Sequence, residues 1–169
     1  MNDEILFEES QKFRQPWLWI LLITVNLITL YGLVKQFSYG LPIGNSIIPG
    51  NIIAFVITLV FTGVIFISKL RTVIKRDALY IRFYPFHLKT KRYVWEEISQ
   101  VFVRKYNPII EYGGWGVRLG MFGKGNALNV SGNMGIQLVF TNKNRLLIGT
   151  KKAAEAEAVL AQLKNKQPI

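Results

Sequence analysis

Cysteine is missing from the chain altogether, and histidine occurs once, at His87. The first absence excludes disulfides, a catalytic thiol, a zinc–thiolate centre and an iron–sulfur cluster. The second excludes a multi-histidine metal site, and no cofactor is expected. Acidic residues are few, 10 against 21 basic ones, for a net charge of +11. Charge of either sign is absent between Arg14 and Lys35 and again from Gln36 to Ser68. In a chain of 169 residues, half of them apolar, the apolar and basic excesses therefore lie in different places.

The apolar excess lies in two runs. From Trp17 to Val34 only Thr24, Asn26, Thr29 and Gly32 interrupt large apolar side chains. Eighteen helical residues rise about 27 Å, close to the roughly 30 Å hydrocarbon core of a bilayer. A second run, Ile47 to Ser68, is long enough for another span. These runs predict two transmembrane helices over about 17–35 and 47–68, preceded by an N-terminal segment, 1–16. A cleaved signal peptide needs a basic start and a small-residue cleavage site. Asp3, Glu4, Glu8 and Glu9 stand here instead, so the first helix reads as uncleaved. Between the runs, Gly40, Pro42, Gly44 and Asn45 supply turn chemistry, which makes the pair a hairpin. Lys69, Arg71, Lys75 and Arg76 follow the second run at once. Basic flanks stay inside, so both termini are expected in the cytoplasm of a cell whose inner membrane holds the hairpin. Trp17 and Trp19 would lie at the inner interface, Tyr31, Phe37 and Tyr39 nearer the outer one. Ala54, Thr58 and Thr62 form a small-residue stripe, and Asn26 needs a hydrogen-bond partner, most cheaply on the second helix.

The basic excess lies after residue 68, where 18 basic residues meet 6 acidic ones. This predicts a cytoplasmic domain over 69–169. Such a field favours anionic lipid headgroups or nucleic acid. A domain tethered to a bilayer makes the lipid surface and a protein the expected partners, and nucleic acid is not expected. Leu79–Tyr84 alternates as a strand, as does Ile98–Val103, with Tyr93-Val94-Trp95 leading into it. Ile136–Thr141 and Arg145–Ile148 read as a hairpin around Asn142-Lys143-Asn144. Lys151–Lys164 is helical, with Ala153, Ala156, Leu160 and Leu163 on one face and Thr150 placed to cap it.

Strands closed by one C-terminal helix resemble the pleckstrin-homology fold. The run Val94-Trp95-Glu96-Glu97-Ile98-Ser99-Gln100-Val101 is similar to a strand of bacterial pleckstrin-homology-like domains. Together with Tyr112–Arg118, Asn129–Leu138 and Leu146–Thr150, it resembles a group of uncharacterised bacterial two-span membrane proteins. The resemblance implies an α+β chain: a transmembrane helical hairpin, then a bent antiparallel β-sheet closed by one α-helix. It carries no catalytic residues.

Candidate sites are few. Gly120–Asn126 lacks the spacing and the Ser or Thr of a phosphate loop. Asn129-Val130-Ser131 matches a glycosylation acceptor that cytoplasmic placement would make idle. Glu96 and Glu97, adjacent on a strand, would face opposite ways and make a poor acid–base pair. His87 has no nucleophile near it in sequence. Two basic groups stand out as anionic-surface contacts: Lys89, Lys91 and Arg92 after the first strand, and Lys151 and Lys152 at a helix start, where free amides would add an anion-friendly corner. Trp115, among Gly113, Gly114 and Gly116, is either a sheet-corner cover or a contact anchor. The expected function is a non-enzymatic, membrane-anchored interaction module. The alternative is an accessory subunit of a membrane transport or channel assembly.

Overall fold

The computed structural model describes residues 4–38, 50–120 and 124–166. The chain divides into two units, one holding the residues up to Lys12 and from Ser68 onward, the other Phe13–Ile67.

The second unit is a pair of helices, α1 (Pro16–Ser38) and α2 (Gly50–Ile67). Pro16 opens α1 at a position where its missing N–H costs nothing, and the Gln15 carbonyl accepts from Leu18 and Trp19. At 1.5 Å per residue the 23 and 18 residues give about 34 and 27 Å. Both are long and apolar enough to cross a membrane, with mean hydropathy 2.0 and 2.4. Most large apolar side chains point away from the pair: Ile20 is 66% exposed, Leu27 60%, Ile57 61% and Val60 60%. Several polar ones meet between the helices, while Thr24 is exposed. Asn26 donates to the Thr62 hydroxyl at 2.7 Å, the Thr29 and Thr58 hydroxyls lie 3.2 Å apart, and Asn51 donates to the Gly32 carbonyl at 3.4 Å. At the other end Trp19 meets Phe66 edge to face, at 6.0 Å between ring centroids. The partner expected for Asn26 is thus found. Of the small-residue stripe, Thr58 and Thr62 face α1, while Ala54 is exposed. Residues 39–49, which include Tyr39 and the expected turn, lie outside the described residues.

The first unit holds nine strands and two helices among the described residues. Its first sheet is β1 (Ile5–Lys12), β2 (Lys69–Lys75), β3 (Ala78–Tyr84) and β4 (Lys91–Val94), antiparallel and in chain order. Strand β1 belongs to a stretch that the sequence had suggested was only an N-terminal segment. Its inward positions are Phe7, Glu9 and Gln11, so two of the three carry polar groups and the apolar alternation is hidden. The pairing runs to Lys12 opposite Lys69. The helical pair is therefore inserted at the tip of a β-hairpin.

The second sheet contains β5 (Ile98–Lys105), β6 (Gly116–Arg118), β7 (Asn126–Asn129), β8 (Met134–Phe140) and β9 (Arg145–Gly149), in the order β5-β8-β9-β7-β6. A short helix, α3 (Pro108–Tyr112), lies between β5 and β6. The expectation of one bent antiparallel sheet is corrected here: there are two sheets, and β7 runs parallel to β9. The cause is a crossing. The chain leaves β7 and passes through 130–133 over the end of β9 before entering β8 on the far side. Gly149 permits this, since a Cβ there would lie 2.9 Å from that of Asn129. The expected β8–β9 hairpin is present, with Lys143 at φ 66° in its turn.

The C-terminal helix α4 (Ala153–Lys166) packs on β5, β1 and β8, strands of both sheets. Its Ala156, Leu160 and Leu163 are buried, as the sequence periodicity predicts. Leu70, Ile74, Leu79, Ile81 and Phe83 of the first sheet and Ile136, Leu138 and Ile148 of the second complete the apolar interior. At roughly 1.5–3 kcal/mol for each buried side chain, this burial is the main force holding the unit together.

Candidate functional site

The basic candidates separate once the strands form. Arg92 reaches across to Asp77 at 3.0 Å, and Tyr80 donates its hydroxyl to the same carboxylate at 2.7 Å. Burial pushes the Asp77 carboxyl up, but these hydrogen bonds hold it below its ordinary value. Arg92 is therefore committed within the sheet. Lys91, its neighbour on β4, points to the opposite face, and Lys89 lies in the β3–β4 turn; both are exposed. No carboxylate partner stands beside either one among the described residues. The same turn carries Phe86 and Leu88, 54% and 75% exposed. Sequence reading missed that pairing of apolar and basic residues, although the alternation Phe86, Leu88 beside Lys89, Lys91 was there to see. His87 sits between them. Its backbone N–H closes the turn on the Phe83 carbonyl at 2.7 Å. Burial, helped by the charge of Lys91, holds its imidazole below the usual histidine range.

The anion-friendly corner before α4 is filled from within. The buried Glu9 carboxylate accepts from the Thr150 hydroxyl at 2.5 Å and the Lys151 N–H at 2.9 Å. Thr150 in turn accepts from the Lys152 N–H at 3.0 Å, two residues along, so it braces the turn that enters the helix. The Lys152 ammonium pairs with Glu155 at 3.0 Å, while the Lys151 side chain is exposed. The Lys151 amide is engaged by the protein's own carboxylate and the Lys152 amide by the Thr150 hydroxyl, which leaves the Lys151 side chain as the cation without an ion-pair partner at this corner.

Trp115 falls between the two roles considered for it. Its ring is half-buried, and its indole N–H donates to the Gly132 carbonyl at 3.1 Å, fastening the approach to β6 onto the β7–β8 crossing. Glu96 and Glu97 are not on a strand but in a single 3₁₀ turn, both exposed. Asn129 is fully buried, donating to the Tyr106 hydroxyl at 3.1 Å and accepting from the Gly116 N–H at 2.9 Å. Of Gly120–Asn126, residues 121–123 lie outside the described residues, and a strand follows.

A polar cluster on the second sheet escaped the sequence reading. Arg104 donates to Glu111 at 2.8 Å, to the Tyr112 hydroxyl at 3.1 Å and to Gln137 at 3.0 Å. The hydrogen bond from Arg104 holds the Glu111 carboxyl below its ordinary value. Burial raises the hydroxyls of Tyr106 and Tyr112, whose rings meet edge to face at 5.9 Å. Arg104, Glu111 and Gln137 of the cluster line a cleft of about 300 Å³ together with Phe102, Lys124 and Arg145. Each member already has a partner inside the fold, so the arrangement reads as a brace for α3. Among the described residues no group of three or more metal-ligating side chains occurs.

The chain matches no family model, no curated protein and no solved structure. The functional reading therefore rests on the residues themselves.

Proposed function

We propose that this chain is a membrane-anchored, non-enzymatic interaction module of a bacterial inner membrane. In this reading the helical pair spans the bilayer and a pleckstrin-homology-like domain stands at the cytoplasmic face. The observation that carries the reading is the inverted polarity of the helix pair: polar side chains paired between helices, apolar ones outward. A soluble helical pair does the reverse, whereas lipid demands this arrangement. The pairing of Lys12 with Lys69 supports a common side for both flanks of the hairpin. The basic residues around it, Arg14, Lys69, Arg71, Lys75 and Arg76, support the cytoplasm as that side. The pleckstrin-homology-like assignment is supported by strands followed by a closing helix; the parallel β7–β9 pair departs from it. The non-enzymatic reading is supported by the engagement of carboxylates in structural pairs: Glu8 with Arg71, Glu4 with Arg76, Asp77 with Arg92 and Glu111 with Arg104.

The test is topological. In spheroplasts, a cysteine at Ser46 should react with an impermeant maleimide added outside, and one at Asn165 only after the membrane is opened. The reverse pattern, or equal labelling of both, refutes the reading.

A further inference from the structure

Strand pairing ties the β3–β4 turn to the point where the chain leaves the helices. Lys69 stands two residues after the end of α2, and it pairs with Lys12 on one side and Tyr84 on the other. At about 4.8 Å between neighbouring strands, Tyr84 is one spacing from Lys69. Strand β3 runs antiparallel to β2, back toward the end of the sheet at which the chain arrives from α2. The turn beyond Tyr84 therefore projects from that same end.

What projects there is unusual for water. Tyr84, Phe86 and Leu88 are exposed, and Leu88, at 75%, has little of the protein against it. Exposed apolar side chains grouped at one tip mark a contact. Between Ala78 and Trp95 the chain carries Arg82, Lys89, Lys91 and Arg92 and no acidic residue. The tip is also held in shape: the Phe86 ring stands edge to face on buried Phe83 at 5.6 Å, and the His87 N–H closes the turn. An apolar tip with a basic collar matches the chemistry of an anionic leaflet, whose acyl boundary takes the rings and chains while its phosphates meet the ammonium groups.

We propose that Phe86 and Leu88 insert into the headgroup–acyl boundary of the anionic leaflet from which the helices emerge, with Lys89 and Lys91 on its phosphates. The proposal rests on the membrane-anchored reading, and adds a third attachment besides the two helices. It replaces the triad expected from sequence, since Arg92 is held by Asp77.

The test uses the full chain in vesicles of phosphatidylcholine and phosphatidylglycerol, with an environment-sensitive fluorophore on one introduced cysteine. Leu88→Cys reports on the tip, Asn142→Cys on an exposed turn elsewhere in the domain, and Leu27→Cys on the outward face of α1. The expected result is blue-shifted emission at 88, quenched by a nitroxide placed near the lipid headgroup and protected from iodide. The label at 142 should be quenched by iodide alone. Lys89→Ala with Lys91→Ala, or high salt, should return the label at 88 toward the emission seen at 142. Equal iodide quenching at 88 and 142 overturns the proposal, and so does protection at 88 without lipid quenching, which would mean a protein covers the tip. A label at 27 that lipid nitroxides fail to quench would overturn the membrane-anchored reading itself, so the two failures are distinguishable.

Discussion

Glu9 shows how a single carboxylate can join distant parts of a chain. A buried polar group is costly unless it is hydrogen-bonded. Glu9 meets this condition by accepting from Thr150 and from the Lys151 backbone, while Gln11 beside it donates to the Gly149 carbonyl at 2.7 Å. Two inward polar residues of β1 thus fasten the chain start to the junction of β9 and α4. Glu9→Ala strands these donors and should cost about 2–3 kcal/mol. Glu9→Gln, which keeps an accepting oxygen, should cost clearly less. Denaturant unfolding of the full chain in micelles checks this, and a loss below about 0.5 kcal/mol for Glu9→Ala would show the pairing to be idle. In the helical pair, Asn26 plays a comparable role toward Thr62, while also bonding the Leu22 carbonyl at 2.8 Å. A double-mutant cycle of Asn26→Leu and Thr62→Val should yield a coupling of about 0.6 kcal/mol, the usual size for such bonds between membrane helices. Strictly additive effects would mean that the two side chains do not interact.

Elements whose periodicity matched their surroundings were legible in the sequence. The two apolar helices, β3, the β8–β9 hairpin and α4 all lie close to where the sequence placed them: the helices are apolar throughout, β3 and α4 each bury one periodic face, and the hairpin strands flank the Asn142-Lys143-Asn144 turn. Strand β1 was not legible, since it turns Glu9 and Gln11 inward. Neither was the parallel β7–β9 pair, because pairing partners depend on a crossing only four residues long and no periodicity encodes them. The short helix α3 was missed for a different reason. Its capping residue Asn107, which accepts from the Ile109 and Ile110 N–H groups at 3.1 Å, is an ordinary turn residue in sequence. Among the candidate sites, the basic and aromatic positions could be picked out by residue type, but their partners could not. The Arg104–Glu111 ion pair that holds α3 gives a pH signature. The Glu111 carboxyl is held below its ordinary value of 4.5, so the pair contributes fully above that value. The contribution fades as pH falls through the lowered carboxylate value. Glu111→Gln should therefore cost about 1 kcal/mol at pH 7 and progressively less in acid, read as a narrowing gap in Tm from the parent chain. A gap independent of pH would mean that charge at Glu111 plays no part. Trp115 tests the neighbouring β6 attachment. Trp115→Phe keeps most of the ring and loses the bond to Gly132, an expected loss of about 1 kcal/mol. Trp115→Ala should cost more, yet less than the roughly 3–5 kcal/mol of a fully buried aromatic.

At the scale of the whole molecule, the helical pair is an insertion within a β-hairpin, which changes what counts as the domain. The charge step at Lys69 marks the end of the helices but not the start of the fold, since β1 comes before them. A fragment beginning at Lys69 lacks the strand that pairs along all of β2, together with Phe7, Glu9 and Gln11. It also exposes the edge of β2, a template for association with other chains. Such a fragment should aggregate or unfold. By contrast, Lys12 and Lys69 stand directly opposite one another in an antiparallel pair, the geometry that a two-residue turn closes. A chain in which Asn-Gly replaces residues 13–68 should therefore fold without detergent as a monomeric domain. Ser68, buried just before β2, goes with the insertion, so some stability is lost with it. Its apolar interior, the Glu9 anchorage and both sheets remain intact. The measurement is cooperative thermal unfolding by circular dichroism, combined with size-exclusion chromatography, on the joined chain and the 69–169 fragment side by side. A fragment that melts as cooperatively as the joined chain would show that β1 adds nothing to the fold. A joined chain that fails to fold where the full chain in micelles succeeds would show that the helices, and not β1 alone, hold the sheet together.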